Sequence, residues 1–255
     1  MNFEQYNCLL HTMIALAIIV FVCLYFIKAG YGLFRTKQWG WSLNNKLAWI
    51  LMEAPAFIVM LIMWWQSGMN THIPEIVFCG MFMLHYFQRS FIFPLLMKGT
   101  SKMPVAIMLM GVIFNTINGL MLGCGLFDFP NENFACGTAY MYRPNTILGI
   151  VIFFAGMMIN LHSDHEIRHL RKPGDTKHYL PQKGMYKYVT SGNYFGELTE
   201  WTGLAIATML PAAWMFVIWT AANLVPRAHA IHKRYREEFG NDAVGNRKRI
   251  IPFVY

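Results

Sequence analysis

Apolar runs of roughly 15 to 23 residues, on the length scale of a bilayer crossing, recur along the chain between short polar connections. They extend over about Cys8 to Ile27, Leu47 to Trp65, Ile76 to Met97, Val105 to Phe127 and Ile147 to Leu161, and a longer run extends from Leu198 to Val225. A helix rises 1.5 Å per residue, so about 20 such residues cover the ~30 Å of hydrocarbon. Each of the first five runs therefore predicts one membrane-spanning helix. The sixth is too long for a single crossing, and Pro211 stands near its middle between Leu210 and Ala212. Proline removes a backbone donor there and kinks or turns the helix, so the pattern predicts two short spans. The expected fold is an all-α integral membrane protein, with seven transmembrane helices in one domain over residues 1–255. The first run lacks the basic n-region and small-residue cleavage site of a signal peptide and continues into Lys28 and Gly30, so it is expected to be retained as a span.

Charge distribution sets the expected topology. Of the 21 Lys and Arg residues, all except Arg89 and Arg143 fall in alternate connections and the tail: Lys28, Arg35, Lys37 and Lys46; Lys98 and Lys102; Arg168, Arg171, Lys172, Lys177, Lys183 and Lys187; and Arg227, Lys233, Arg234, Arg236, Arg247, Lys248 and Arg249. The positive-inside rule assigns these segments to the cytoplasm, which puts the N-terminus outside and the C-terminus inside. Six spans would leave the basic tail outside, so the charge count supports the division at Pro211. Composition agrees with a bilayer protein: 56% hydrophobic, 13% charged, mean hydropathy +0.35. The expected location is a multi-pass membrane, the inner one in a bacterium. The basic face is first of all the ordinary topology signal, and contact with the lipid bilayer, anionic lipid included, is expected beside it; no nucleic acid is expected and no obligate protein partner is implied. Five cysteines (Cys8, Cys23, Cys79, Cys124, Cys136) include no C-x-x-C pair; only Cys124 and Cys136 could meet in one outer loop.

Polar residues inside the apolar runs are the candidates for chemistry. Glu53, in Met52-Glu53-Ala54-Pro55, lies roughly 9 Å above the cytoplasmic end of the second span at the helical rise. A carboxyl group at that depth must be protonated, paired or facing a wet cavity. The third span carries His85-Tyr86-Phe87-Gln88-Arg89, in which Tyr86 and Arg89 share a face at depths overlapping that of Glu53. A phenol, an acid and a guanidinium are thus expected in one pocket; the plainer alternative is a snorkelling arginine and an interhelical hydrogen bond.

Towards the end of the fifth span Asn160, Asp164, Arg168 and Arg171 follow spacings that align them on one helical stripe. Amide, carboxylate and two guanidinium groups in line suit ribose hydroxyls and phosphates. His162, His165 and His169 share the segment, but no metal motif such as His-Glu-x-x-His accompanies them, and no metal is expected. Asn193, Glu197 and Glu200 or Trp201 fall on one face at the entrance of the sixth span, and Arg227 to Arg236 reads as a basic surface helix. There is no dinucleotide fingerprint after a strand, no P-loop and no nucleophile elbow; Gly119, Gly123 and Gly125 lie within a span, where small residues serve helix packing. From these residues alone the chain is a membrane enzyme or transporter with a polar pocket and an anion-attracting inner face.

Five motifs give the chain a resemblance over nearly its whole length: Glu53-Ala54-Pro55, His85 through Arg89, Asn160-Leu161-His162-Ser163-Asp164 through Leu170-Arg171-Lys172-Pro173-Gly174, Ser191-Gly192-Asn193-Tyr194-Phe195-Gly196-Glu197 through Glu200-Trp201, and Ile251-Pro252-Phe253. It resembles the steroid 5-alpha-reductase family, a bacterial member in particular. That resemblance implies a seven-helix reductase that uses NADPH to saturate the 4,5 double bond of a 3-oxo-4-ene steroid, testosterone-like or progesterone-like. It implies that Glu53 and Tyr86 hold the steroid carbonyl oxygen. It further implies that Arg89, Asn160, Asp164, Arg168, Arg171, Asn193, Glu197, Trp201, His232 and Tyr235 line the NADPH site, concentrated in 160–255. Departures from the family pattern stand at Thr100, Tyr179 and Ile231, where basic residues or histidine are frequent, so a redistribution of the phosphate contacts is expected. The competing readings are an enoyl thioester or polyprenol-type lipid reductase of the same superfamily, a related methyltransferase, and a transporter, which lacks support from any inverted repeat.

Overall fold

Long helices occupy the apolar runs; Asn2 and Asn44 cap two of them, and a proline in the first turn opens three others. The computed structural model describes residues 1–27, 39–68, 72–99, 101–171, 175 and 177–255. The expectations that involve Lys28, Gly30, Arg35, Lys37, Thr100, Lys172, Pro173 and Gly174 lie outside the described residues. Among the described residues, five helices are long and apolar enough to cross a membrane: α1 (Phe3–Phe26), α2 (Asn45–Ser67), α3 (Ile73–Leu96), α4 (Val105–Asp128) and α5 (Pro144–His169). Two further long helices follow, α6 (Gly192–Thr208) and α7 (Pro211–Phe239), and then the single turn α8 (Asn241–Val244). The chain is mostly helical, as an all-α membrane protein should be.

The break expected at Pro211 is present. Helix α6 stops at Thr208, Met209 takes a left-handed conformation with φ 54°, and Pro211 opens α7 at a position where its missing N–H costs nothing. The polypeptide then reverses, because α7 packs along α1 with Tyr25 against His229, while Phe114 of α4 stacks on Trp219 at 4.9 Å. Contacts of this kind make successive helices run in alternating directions. One end of the bundle gathers Tyr6, Phe129, Tyr140 and Ala207; the other gathers the starts of α2, α4 and α6 and the ends of α3, α5 and α7. Among the described basic residues, the second end holds nearly all.

A short ribbon sets the register of two helices that carry the site. β1 (Ser42–Asn44) pairs antiparallel with β2 (Lys102–Pro104), matching Leu43 to Met103. Asn44 caps α2 by accepting from the Lys46 backbone N–H at 2.9 Å, and Met103 is buried with Ala48, Met52 and Ile107. Because α2 and α4 both leave this ribbon, Glu53 and Asn115 come to similar depths on facing surfaces.

Two glycine pairs bring α5 and α6 together. Gly149 and Gly156 face the backbone of α6, and Gly196 and Gly203 face that of α5, so closely that a Cβ on any of them would overlap the opposing main chain. Small residues let membrane helices approach in this way, and it carries Asn160 and Asp164 against Asn193. In α3 the helix opens into a π turn over Gln88–Ile92, where the Phe93 N–H reaches back to the Gln88 carbonyl. Pro94, just beyond, has no N–H to offer, which favours the wider turn; Arg89 sits inside it.

Candidate active site at the centre of the bundle

The acid and the phenol expected to meet do so through an amide. Asn115 Nδ2 donates to Glu53 Oε2 at 3.2 Å and to the Met52 carbonyl at 2.7 Å, while Asn115 Oδ1 accepts from the Tyr86 hydroxyl at 3.2 Å. Asn118 Nδ2 donates to the same hydroxyl at 3.2 Å. Tyr86 is thus held by one acceptor and one donor, and Glu53 by the residue that accepts from Tyr86. Pro55, inside the same helix, has no N–H to offer the Leu51 carbonyl, one residue before the Met52 carbonyl that Asn115 reaches.

Below this centre lies a network of opposite charges. Arg89 Nη1 binds Asp164 Oδ2 at 2.8 Å, and Nη2 approaches Glu197 Oε2 at 3.9 Å. The guanidinium lies over Phe93, 4.5 Å from the ring centre, and over Trp49 at 4.9 Å. Asp164 also accepts from Asn193 Nδ2 at 3.2 Å; Asn160 donates to the Asn193 carbonyl at 2.9 Å, and Tyr186 donates to Asn193 Oδ1 at 3.3 Å. Five of the sequence candidates, Arg89, Asn160, Asp164, Asn193 and Glu197, therefore form one cluster, and Glu53 lies within electrostatic range of Arg89 and Glu197.

Trp201 closes the other side. It is buried, stacks near Tyr86 at 5.9 Å and packs on His85 at 4.5 Å. His85 Nδ1 shares a 2.8 Å hydrogen bond with Glu200 Oε1, a pair sealed from solvent. Phe82 and Phe216 complete the aromatic wall.

The remaining candidates lie nearer the basic end. Arg168 sits 5.8 Å from the Phe93 ring, with its Nη1 buried and without a hydrogen-bond partner among the described residues. Arg171 is exposed and interacts electrostatically with Tyr235, whose hydroxyl burial pushes up to about 12. Tyr186 is pushed well above the usual phenol range, first by burial and then by the charge of Asp164. His232 shares a 3.3 Å hydrogen bond with the Thr190 hydroxyl; burial and the charges of Arg236 and Arg249 hold its imidazole down at about 4, so it is neutral at pH 7. It lines a cavity of about 430 Å³ with His229, Lys233, Arg236 and Arg249. Tyr179, one of the departures expected from the resemblance, donates to Asp175 at 2.7 Å.

Several site residues escape the sequence reading. Asn115 and Asn118 carry the same signal as Glu53, polar groups three apart in an apolar span, but the neighbouring glycines draw attention away from them. His85 and Glu200 lie inside recognised motifs, yet nothing in their spacing announces that they pair across 115 positions. Arg249 lies in the tail, and only folding brings it beside His232. Among the cysteines, Cys124 is buried, Cys136 is exposed and neither is disulfide-bonded.

Comparison with known proteins shows the family. The family model for 3-oxo-5-alpha-steroid 4-dehydrogenase matches residues 101–255. The chain is 33% identical over 244 residues to 3-oxo-5-alpha-steroid 4-dehydrogenase 1 of Bos taurus, covering 94% of this chain and 93% of the relative. It is 34% identical over 257 residues to steroid 5-alpha-reductase DET2 of Gossypium hirsutum, covering 97% and 96%. It is also 34% identical over 241 residues to 3-oxo-5-alpha-steroid 4-dehydrogenase 2 of Sus scrofa, covering 92% and 91%. With near-complete coverage of relatives from animals and plants, and with the polar residues of its motifs gathered at one centre, the chain belongs to the steroid 5-alpha-reductase family.

Proposed function

We propose that the protein reduces the 4,5 double bond of a 3-oxo-4-ene steroid to the 5-alpha product, with NADPH as the hydride source. The observation that carries this reading is the buried Tyr86 hydroxyl, held between Asn115 and Asn118 and joined through Asn115 to Glu53. The polar cluster beside it suits the cofactor. Arg168 offers a buried nitrogen without a hydrogen-bond partner among the described residues, and the cavity lined by His232, Arg236 and Arg249 is rich in cationic donors that match phosphate. Asn160, Asp164, Arg171, Asn193, Glu197, Trp201 and Tyr235 complete the proposed cofactor site together with Arg89.

NADPH held there would supply the hydride for C5, and a proton reaching C4 from solvent would complete the addition of two hydrogens. The task of the chain's own residues is to hold the C3 carbonyl and stabilise the charge that builds on its oxygen as the conjugated electrons shift. Tyr86 turns its hydroxyl from Asn115 to that oxygen, while Asn118 continues to donate to the phenol oxygen. A donor aimed at a developing oxyanion in a dry site lowers the barrier by several kcal/mol. Glu53, in its protonated form, donates to the same oxygen, and Asn115 keeps it oriented. The aromatic wall of Phe82, Trp201 and Phe216 excludes water and suits a flat apolar ring system.

The same reading makes one domain of seven spans, with α6 and α7 crossing as well, the N-terminus outside and the basic end cytoplasmic, in the inner membrane of a bacterium. The gathering of Lys and Arg at one end supports that orientation. Detergent-solubilised protein given NADPH and testosterone or progesterone should consume cofactor and return a steroid heavier by two hydrogens in mass spectrometry. Untouched steroid, with turnover of an enoyl thioester or polyprenol instead, would overturn the substrate assignment.

A further inference from the structure

The tail motif Ile251-Pro252-Phe253 takes no part in the chemistry above, yet its geometry is specific. Ile250 is fully buried in a cluster with Leu224 and Ala228, and immediately after it the chain turns outward. The turn closes on itself: the Ile250 and Ile251 N–H groups both donate to the Tyr255 carbonyl, at 2.8 and 2.9 Å. It displays Phe253, 78% exposed, and Val254, 72% exposed. Phe253 has φ 64°, a conformation costly for an aromatic residue, which persists only where the surroundings impose it. Tyr188 packs beside it at 5.5 Å and is itself half exposed.

The position of this patch identifies what covers it. Tyr255 meets Tyr25, in the last turn of α1, hydroxyl to hydroxyl at 3.3 Å, and the adjoining Phe26 and Ile27 are exposed on the flank of a membrane helix. The patch is thus continuous with the lipid-facing surface at the basic end, with Lys187 and Lys248 along its rim. Aromatic side chains beside cations are the composition of the headgroup boundary.

We propose that the turn Ile251–Val254 is an interfacial anchor, inserting Phe253 and Val254 into the lipid leaflet at the basic end of the bundle. Anchoring there fixes the tail as a strap across the entrance of α6. The Thr190 N–H donates to the Lys248 carbonyl at 2.9 Å, the Ser191 N–H to that of Arg249 at 3.1 Å, and the Lys248 N–H to that of Tyr188 at 2.9 Å. Ser191 leads directly into the turn of α6 that bears Asn193 and Glu197.

The test uses full-length protein with the exposed Cys8, Cys23 and Cys136 changed to Ser, reconstituted in nanodiscs of phosphatidylcholine and phosphatidylglycerol. A nitroxide is attached at Phe253→Cys, at Val254→Cys and, as the aqueous reference, at Asp242→Cys. Labels at 253 and 254 should collide readily with oxygen and lose contact with a water-soluble nickel chelate, whereas the label at 242 shows the reverse. A label at 253 open to the chelate, or shielded from both reagents by protein, overturns the anchor. Hydrogen exchange at Thr190 and Ser191 tests the strap independently of any turnover: Phe253→Asp should speed it on the order of tenfold while Phe253→Trp leaves it unchanged. Equal exchange in both variants overturns the coupling.

Discussion

The side-chain amide of Asn115 donates to the Glu53 carboxylate at 3.2 Å, across the interface of two helices that start from the same two-stranded ribbon. An amide does not titrate, so it links the acid to the Tyr86 hydroxyl whatever the protonation state of Glu53. Asn115→Leu, similar in size, should lower kcat by about 10- to 100-fold, with KM for NADPH little changed, because the group lost orients the donors rather than the cofactor. Tyr86→Phe should cost on the order of 100-fold or more, and Glu53→Gln should retain NADPH binding while strongly slowing reduction. Single-turnover assays with cofactor binding measured in parallel distinguish these outcomes; normal turnover in the Glu53 variant would remove it from the chemistry.

The Arg89–Asp164 pair is buried on both sides, and once Asp164 is neutral only the longer contact to Glu197, at 3.9 Å, compensates Arg89. Asp164→Asn should destabilise the protein by about 3–5 kcal/mol, the usual cost of breaking such a pair. The double variant Arg89→Met with Asp164→Leu should recover much of the thermal midpoint but none of the cofactor binding. Recovery of both would show that the pair serves packing alone.

Helix approach at the glycine pairs makes a sharp contrast with other glycines. Gly156→Ala drives a methyl into the backbone at Glu200 and should cost about 1–3 kcal/mol and displace Asp164 from Asn193. Gly80→Ala, which meets nothing within 4 Å, should be close to neutral. Thermal melts of the two variants in the same detergent provide the comparison.

His232 predicts a pH dependence of definite sign. Its folded value of about 4 lies below the ordinary 6.5, so the unfolded chain takes up a proton first as pH falls. Its stabilising contribution is complete above pH 6.5, declines between 6.5 and 4, and is flat below. The difference in thermal midpoint between the protein and His232→Gln should shrink across that interval; a constant difference would contradict a neutral, Thr190-bonded imidazole.

Much of this protein is legible in one dimension. Run length against bilayer thickness marks the five apolar helices, a proline after a long run marks where α6 ends and α7 begins, and the asymmetry of Lys and Arg marks one end of the bundle as distinct. Glu53, Tyr86 and Arg89 stand out because ionisable and hydroxyl groups in hydrocarbon are expensive. Helical spacing likewise assembles Asn160, Asp164 and Arg168 on one stripe.

What remained for the tertiary structure was partnership. Spacing tells which residues share a face of one helix, but the facing helix depends on crossing geometry and register, which arise from side-chain packing between distant segments. Hence Asn115 joins Glu53 to Tyr86 because the ribbon aligns α2 with α4, and His85 finds Glu200 because α3 packs on α6 around Trp201. Arg249 joins His232 because the tail folds back along Thr190 and Ser191. Local periodicity determined the helices and the polar groups they carry; only long-range packing decided which of those groups touch.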